Sequence, residues 1–397
     1  MTDSQNKFDA CVVGGAGHIG TPLAVVLAKR GYRTLIYDLN KGAMDTIATG
    51  RMPFIEEGGE PLLKEMLAAD MLGFSDDISR IRGVPYIVIT IGTPLDEFQN
   101  PVVRALTDCM DALLPHLSDD QTLILRSTVF PGATDFLHQY LGNRGRKTMI
   151  AFCPERVVQG QAIKEIQSLV QMISGTTPGA EESAARFFSK VSSKIVRMKP
   201  MEAEFAKLFC NAYRYFQFAV ANQFFMMSTS AGLSYARIRE GLMQDYPRMR
   251  DLPGAGFAAG PCLYKDTLQL VAYCNNQFDL AVSAVQVNEG LPAFMISQLR
   301  AKYPLNEMTV GLLGMAFKPN SDDARASLSY KLKRLLGLHA RKVLTTDPLV
   351  KDDKDIIPLE RVVEQSDLLV LCTPHLAYAA VDLKGKPVYD IWNFYRK

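Results

Sequence analysis

The stretch DACVVGGAGHIGTPLAVVLAKRG (9–31) decides how the rest of the chain is read. An apolar run of strand type leads into a glycine-rich turn, and the turn leads into a helical pattern. Gly15, Gly17 and Gly20, with His18 and Ile19 before the last of them, satisfy G-x-G-x-x-G. The first glycine permits a tight turn, the second lets backbone approach a pyrophosphate, and the third lets the helix pack close to the strand. The helix then aims its N-terminus, the positive end of its dipole, at the phosphates. Asp38 closes the next apolar run, RTLIYD (33–38). An acidic side chain there suits a ribose 2′-hydroxyl and repels a 2′-phosphate, so the expected cofactor is NAD. Lys41 lies close by and pulls the other way.

Similar runs follow at YIVITIG (86–92), TLILRST (122–128), TMIAFC (148–153) and LVQMISG (169–175), with helical patterns between them. Buried runs alternating with helices predict an α/β fold, a Rossmann-type parallel sheet with helices on both faces. From residue 201 the pattern changes. Phe205, Leu208, Phe209, Ala212, Phe216, Ala219 and Val220 have the spacing of an amphipathic helix, which continues to about Met243. A Pro/Gly-rich loop (246–261) and further helical spacing to about residue 302 follow. Strand runs return at TVGLLGMA (309–316), KVLTTDP (342–348), LLVLCTP (368–374) and PVYDIWN (387–393). The expected organisation is an α/β domain over 1–200, a central long-helix region over 201–304, and a smaller Rossmann-like α/β domain over 305–397.

The 397 residues exceed one ordinary core. The formal charge is only +2, which supports no nucleic-acid or membrane-surface partner. Seven cysteines, an odd number with no C-x-x-C pair, argue against a disulfide framework and against a metal site. The polar start reads as free of a secretory signal, and no apolar run reaches the roughly 18 residues of a membrane span. A reducing cytoplasm is the expected location.

Three groups of residues bear on chemistry. In GPCLYKDTLQLVAY (260–273) a helix is expected to begin near Pro261, placing Cys262 in its first turn. Helix N-termini favour the thiolate and expose it, which are the conditions for a nucleophile. Lys265 and Asp266 share a helix face with Cys262. Glu204, Lys207 and Asn211 form a polar stripe on the long helix, readable either as a solvated face or as a lysine opposite a developing oxyanion. RSTVFPG (126–132) and CPER (153–156) close two strands with Ser127, Thr128, Glu155 and Arg156, at the strand ends where open α/β sheets bind ligands.

Taken in order, GGAGHIG (14–20), IGTPLDEFQNP (91–101), RSTVFPG, CPERVVQGQA (153–162), EFAKLFCN (204–211), GPCLYKD (260–266) and GMAFKPNSDDAR (314–325) resemble the nucleotide-sugar 6-dehydrogenases over nearly the whole chain. The resemblance implies a four-electron oxidation at the sixth carbon of a UDP-sugar, with two NAD reduced per substrate. It implies that Cys262 is the nucleophile, that Lys207 and Asn211 stabilise the oxyanion, that Asp266 with Thr128 positions water, and that Glu155 serves thioester hydrolysis. Thr93 and Thr128 are implied cofactor contacts, and Arg156 an implied substrate contact. The C-terminal domain would bind the UDP half through Lys318 and Arg325, with Gly256 and Phe257 as backbone contacts. Arg248, or alternatively Arg250, would reach a neighbouring subunit's substrate. The family's loop often reads GFGGSC or GVGGHC where this chain has GFAAGPC. The resemblance further implies a homodimer or larger homo-oligomer built on the central helices. The strings TPLDEFQNP and ERVVQGQAIKEI look closer to the N-acetylhexosamine branch than to the UDP-glucose branch. Two other readings stay open: a two-electron dehydrogenase of the β-hydroxyacid or 6-phosphogluconate type, and a non-catalytic protein that binds NAD or a nucleotide sugar.

Overall fold

The computed structural model describes residues 8–395; the first seven residues, on which the absence of a secretory signal was read, lie outside the described residues. The chain divides into two compact units, one ending at Phe209 and the other beginning at Cys210.

The first unit holds β1 (Ala10–Val13), β2 (Thr34–Tyr37), β3 (Leu72–Ser75), β4 (Tyr86–Ile89), β5 (Thr122–Leu125), β6 (Met149–Phe152), β7 (Gln171–Gly175) and β8 (Ile195–Arg197), in sheet order β3-β2-β1-β4-β5-β6-β7-β8. Its helices are α1 (Gly20–Lys29), α2 (Lys41–Ala48), α3 (Gly59–Ala68), α4 (Arg104–Leu113), α5 (Ala133–Gly142), α6 (Ala162–Ser168) and α7 (Pro178–Ser189). Successive strand residues serve opposite faces. Val12, Ile36, Val88 and Ile124 enter one apolar core, and Cys11, Leu35, Ile87 and Leu123 the other. A sheet covered on both sides needs the continuous apolar runs that the sequence shows.

Two features depart from the expected parallel sheet. First, β7 pairs with β6 antiparallel, Ala151 opposite Gly175. The segment between them, which carries the seven-residue α6, brings the chain back beside β6 in the opposite direction. Second, β3 and β8 carry no apolar run. Gly73 in β3 makes room for the Phe8 ring, whose Cζ would stand 2.4 Å from a Cβ there. In β8 Val196 is exposed.

The boundary between units falls within α8 (Pro200–Ser230), and α9 (Tyr235–Met243) follows as a separate helix. The expected unbroken helix to Met243 is therefore corrected. Gly232 turns the chain at φ +73°, and Ser234 caps α9 by accepting the Arg237 N–H. The second unit continues with α10 (Leu263–Tyr273), α11 (Asp279–Lys302), β9 (Thr309–Leu313), α12 (Leu328–Leu336), β10 (Lys342–Thr346), α13 (Leu359–Gln365), β11 (Leu368–Leu371) and β12 (Val388–Asp390). Its sheet is all parallel, in order β10-β9-β11-β12.

The small sheet repeats the strand–turn–acid arrangement of the large one with a different outcome. Asp347 ends β10 as Asp38 ends β2. Its Oδ2 accepts the Met315 and Ala316 N–H groups, and its Oδ1 those of Leu349 and Val350. The His375 ring stands 3.1 Å away through Nε2. Its Nδ1 accepts the Asn320 N–H, so the ring proton sits on Nε2, facing Asp347. Burial pushes the Asp347 carboxyl up, but the His375 hydrogen bond and the amides outweigh it and hold the group at about 2. This carboxylate is consumed inside the protein, and the turn before it lacks G-x-G-x-x-G.

Candidate active site

At the carboxyl end of β1 the three glycines differ in their surroundings. A Cβ on Gly15 would lie 2.7 Å from the Val12 carbonyl, and one on Gly20 would lie 2.4 Å from the Gly14 carbonyl. A Cβ on Gly17 would meet nothing closer than 3.5 Å, and this glycine is exposed. Tight turn, open approach and close helix contact thus fall on Gly15, Gly17 and Gly20 in turn, as an NAD pyrophosphate requires. Ile19 caps α1, whose first turn has no acidic residue to compete with an anion. His18 stacks against Phe54 with ring centroids 4.1 Å apart, and its Nδ1 lies 3.0 Å from Gln159 Nε2. Asp38 Oδ2 accepts the Ala16 N–H at 2.9 Å, which anchors the carboxylate on the turn itself. The Thr93 hydroxyl donates to the Thr128 carbonyl at 2.6 Å, joining the segments that follow β4 and β5. The residues present fit NAD: open backbone at Gly17 and an acid at the end of β2, held to the glycine turn.

Glu155 follows β6 and is buried. Arg126, fully buried after β5, donates to Glu155 Oε2 from Nε at 3.0 Å and from Nη2 at 2.5 Å. Arg126 Nη1 donates to the Cys153 carbonyl and to Gln171 Oε1, each at 2.9 Å. Glu155 Oε1 accepts the Arg156 and Val157 N–H groups. Glu155 therefore sits in a closed network, with a buried arginine as its ion-pair partner. The Arg156 guanidinium donates to the Val170 carbonyl at 2.5 Å.

Glu204 is corrected as a member of a solvated or catalytic stripe. It is wholly buried and accepts the Gly132 N–H at 2.6 Å and the Thr134 N–H at 2.8 Å, so its charge meets the N-terminus of α5. Burial pushes its carboxyl up, against the bonds from Thr134 and Gly132. Lys207, one turn on, is half-buried.

In the second unit Cys262 is exposed and occupies the cap position of α10, one residue before the helix rather than inside its first turn. Its carbonyl accepts the Asp266 N–H at 2.9 Å. Cys11, Cys109, Cys153 and Cys372, by contrast, have thiols pushed well up by burial. Asp266 is fully buried beneath the cysteine turn; its Oδ2 accepts from Asn211 Nδ2 at 2.6 Å and its Oδ1 lies 3.0 Å from Lys265 Nζ. The structure thus brings Asn211, Asp266 and Cys262 onto one end of α10.

The loop around 317–326 packs onto the cysteine turn. The Gly260 N–H donates to the Ala326 carbonyl at 3.2 Å, and a Cβ on Gly260 would strike the Phe317 ring at 2.5 Å. Arg325 is held by Asp323 through Nε and Nη2, and Cys262 lies within its electrostatic reach. Lys318 Nζ lies 5.8 Å from the centre of the Phe317 ring. Gly256 is fixed by Asn222, which accepts its N–H at 2.9 Å and donates to its carbonyl at 3.0 Å. A Cβ on Gly256 would overlap the Trp392 ring, and Phe257 beside it is buried. Arg248 is exposed and meets the Tyr246 hydroxyl at 3.4 Å. Arg126 and the Asp347–His375 pair were missed by the sequence reading. Arg126 had one visible signal, a charged residue inside the buried run TLILRST, which demands a buried partner.

The strand–glycine-turn–helix cradle, with an acid at the end of the next strand, is the arrangement of a dinucleotide-binding fold. Three models of the UDP-glucose/GDP-mannose dehydrogenase family match in order: its NAD binding domain at 9–192, its central domain at 201–290 and its UDP binding domain at 311–397. The chain is 30% identical to a UDP-N-acetyl-D-mannosamine dehydrogenase of Pyrococcus horikoshii, covering 93% of this chain and 90% of that protein. It is 26% identical to an NDP-N-acetyl-D-galactosaminuronic acid dehydrogenase of Ralstonia nicotianae, covering 96% and 95%. The solved structure of a UDP-D-ManNAc dehydrogenase from Pyrococcus horikoshii matches with TM-score 0.90 at 27% identity, over 97% of this chain and 95% of that one. The chain belongs to the UDP-glucose/GDP-mannose dehydrogenase family, and is an NAD-dependent nucleotide-sugar dehydrogenase.

Proposed function

We propose that this enzyme oxidises the sixth-carbon hydroxyl of a UDP-N-acetylhexosamine to a carboxylate, in two successive two-electron steps through Cys262. The observation that carries the reading is the exposed thiol at the head of α10, above the buried Asn211–Asp266 pair. Bound NAD accepts the hydride in each oxidation. The alcohol first loses hydride and proton to become an aldehyde. The Cys262 sulfur then bonds the aldehyde carbon, giving a thiohemiacetal that cannot diffuse away. Loss of the second hydride, together with the hydroxyl proton, leaves a thioester. Water adds, the carbon–sulfur bond breaks, and the acid departs as the thiol is restored. Alcohol, two NAD and one water are thus converted to acid, two NADH and two protons.

Lys207 and Asn211 match the oxygen's charge as it develops. Asp266, with Thr128, positions the water. Glu155 keeps the CPER turn in the shape that hydrolysis needs, and Arg156 contacts the substrate beside it. Thr93 and Thr128 line the cofactor. Lys318 and Arg325 hold the nucleotide-sugar diphosphate, Gly256 and Phe257 contact the substrate through backbone, and Arg248, or alternatively Arg250, reaches the substrate of a neighbouring subunit. The domains divide near residues 200 and 304, and the seven unpaired thiols support a cytoplasmic location. The preference for an N-acetylated sugar rests on the relatives named above.

Two measurements test this. With UDP-N-acetylmannosamine, and with its gluco and galacto counterparts, the expected yield is two NADH per sugar consumed. A yield of one, with aldehyde released, would make the enzyme a two-electron dehydrogenase. The second concerns assembly. No helix among the described residues is long and apolar enough to cross a membrane. Yet Tyr213, Val220, Phe224 and Met227 are exposed on α8 at helical spacing, 63%, 46%, 39% and 62% respectively. A homo-oligomer covering this face is expected. Light scattering should give a multiple of the chain mass, reduced by Phe224→Glu with Met227→Glu; a monomeric wild type would contradict it.

A further inference from the structure

The carboxyl ends of β2 and β3 hold an arrangement of charge that the glycine turn does not require. The two strands pair in parallel register, Tyr37 opposite Ser75, and the Asp38 N–H donates to the Ser75 carbonyl at 3.3 Å. Asp38 and Asp76 are therefore register neighbours on adjacent strands, roughly 4.8 Å apart along the sheet. They are held differently. Asp38 accepts the Ala16 N–H on Oδ2 and the Asn40 N–H on Oδ1, each at 2.9 Å. Asp76 Oδ2 lies 2.6 Å from Lys41 Nζ. Lys41 opens α2, three residues after Asp38. Asp77 is turned to the Ser79 N–H and hydroxyl, and Asp45 adds a weaker negative field at Lys41.

We propose that Asp76 is a cofactor-specificity residue. Lys41 is the cation nearest in sequence to the ribose-facing carboxylate, and an unpaired lysine there would meet a 2′-phosphate. Asp76 takes that lysine as its partner and sets a second negative charge beside Asp38. With Asp38 and Asp76 at −1 each and Lys41 at +1, the trio sums to −1; without Asp76 it sums to zero. Each partner's hydrogen bond also favours the other's ionised form, raising Lys41 and lowering Asp76. The pair is exposed, its side chains 74% and 47% accessible. Exposed ion pairs contribute little to folding, so its effect falls on the charge that a cofactor meets. Asp38 alone accounts for the 2′-hydroxyl contact; Asp76 accounts for the silence of Lys41.

The test reads binding and stands apart from the sugar chemistry proposed above. Dissociation constants for NADH and NADPH are measured by nicotinamide fluorescence on the full-length enzyme, wild type, Asp76→Asn, Lys41→Gln and the double variant. Asp76→Asn is expected to lower the NADPH-to-NADH ratio of dissociation constants about tenfold, chiefly through NADPH, and the gain should shrink in high salt. The double variant should lose most of that gain, since the freed lysine is what makes it. The inference is overturned if Asp76→Asn leaves the ratio within twofold of wild type, if the double variant keeps the full gain, or if both cofactors weaken equally.

Discussion

Cys262→Ser is expected to lower acid formation by about a thousandfold or more while leaving NADH binding unchanged. Serine preserves the size of the side chain and the cap position of α10, so the fold around Asp266 should survive. What it loses is sulfur chemistry. A hydroxyl captures an aldehyde less readily, and an ester yields to water more slowly than a thioester. The loss should fall on the second oxidation and on hydrolysis, so a single turnover should form at most one NADH per sugar. Cys274→Ser supplies the control. That thiol is also exposed, at the far end of the same helix, and its removal should change nothing. A Cys262→Ser enzyme within tenfold of wild type would end the covalent reading and leave only the family's cofactor chemistry.

Arg126→Met should produce the largest loss of stability, about 3–5 kcal/mol, because it strands a buried carboxylate. Glu155 has no path to water that would replace two guanidinium bonds, and both side chains are essentially inaccessible, 0% and 8%. The double variant Arg126→Met, Glu155→Leu should recover part of the loss, since two apolar groups need no partners. Arg126→Lys should fall between, keeping the charge and losing the fork that reaches Glu155, Cys153 and Gln171 together. Urea unfolding followed by circular dichroism measures all three. A loss under about 1 kcal/mol for Arg126→Met would show that the network is worth no more than a surface pair.

The two halves of this structure were legible in the sequence to different depths. The glycine turn, the acid that ends β2 and the apolar runs of the two sheets were readable because each is a local pattern. Steric demand on Gly20 comes from Gly14 and Gly15, and the closest atom to a Cβ on Gly15 is the Val12 carbonyl oxygen, all within six positions, so spacing reveals it. Glu204 was misread for the complementary reason. On its own helix it is one polar residue among several, and only its contact with Gly132 and Thr134, some 70 residues earlier, shows that it caps another helix. The break at Gly232 did carry a local sign, the Ser-Ala-Gly-Leu-Ser run, but apolar spacing on either side concealed it.

By itself, the sequence determined the α/β class, the cofactor cradle and the cysteine set at a helix head, since each follows from which neighbours a residue has along the chain. Only the tertiary structure decided the reversal of β7, the closed Arg126–Glu155 network, the Asn211–Asp266 bond and the pairing of Lys41 with Asp76. Those depend on which distant segments pack together, and burial then sets the charge each group can hold. Spacing along a chain records what can share a face; it does not record what stands opposite.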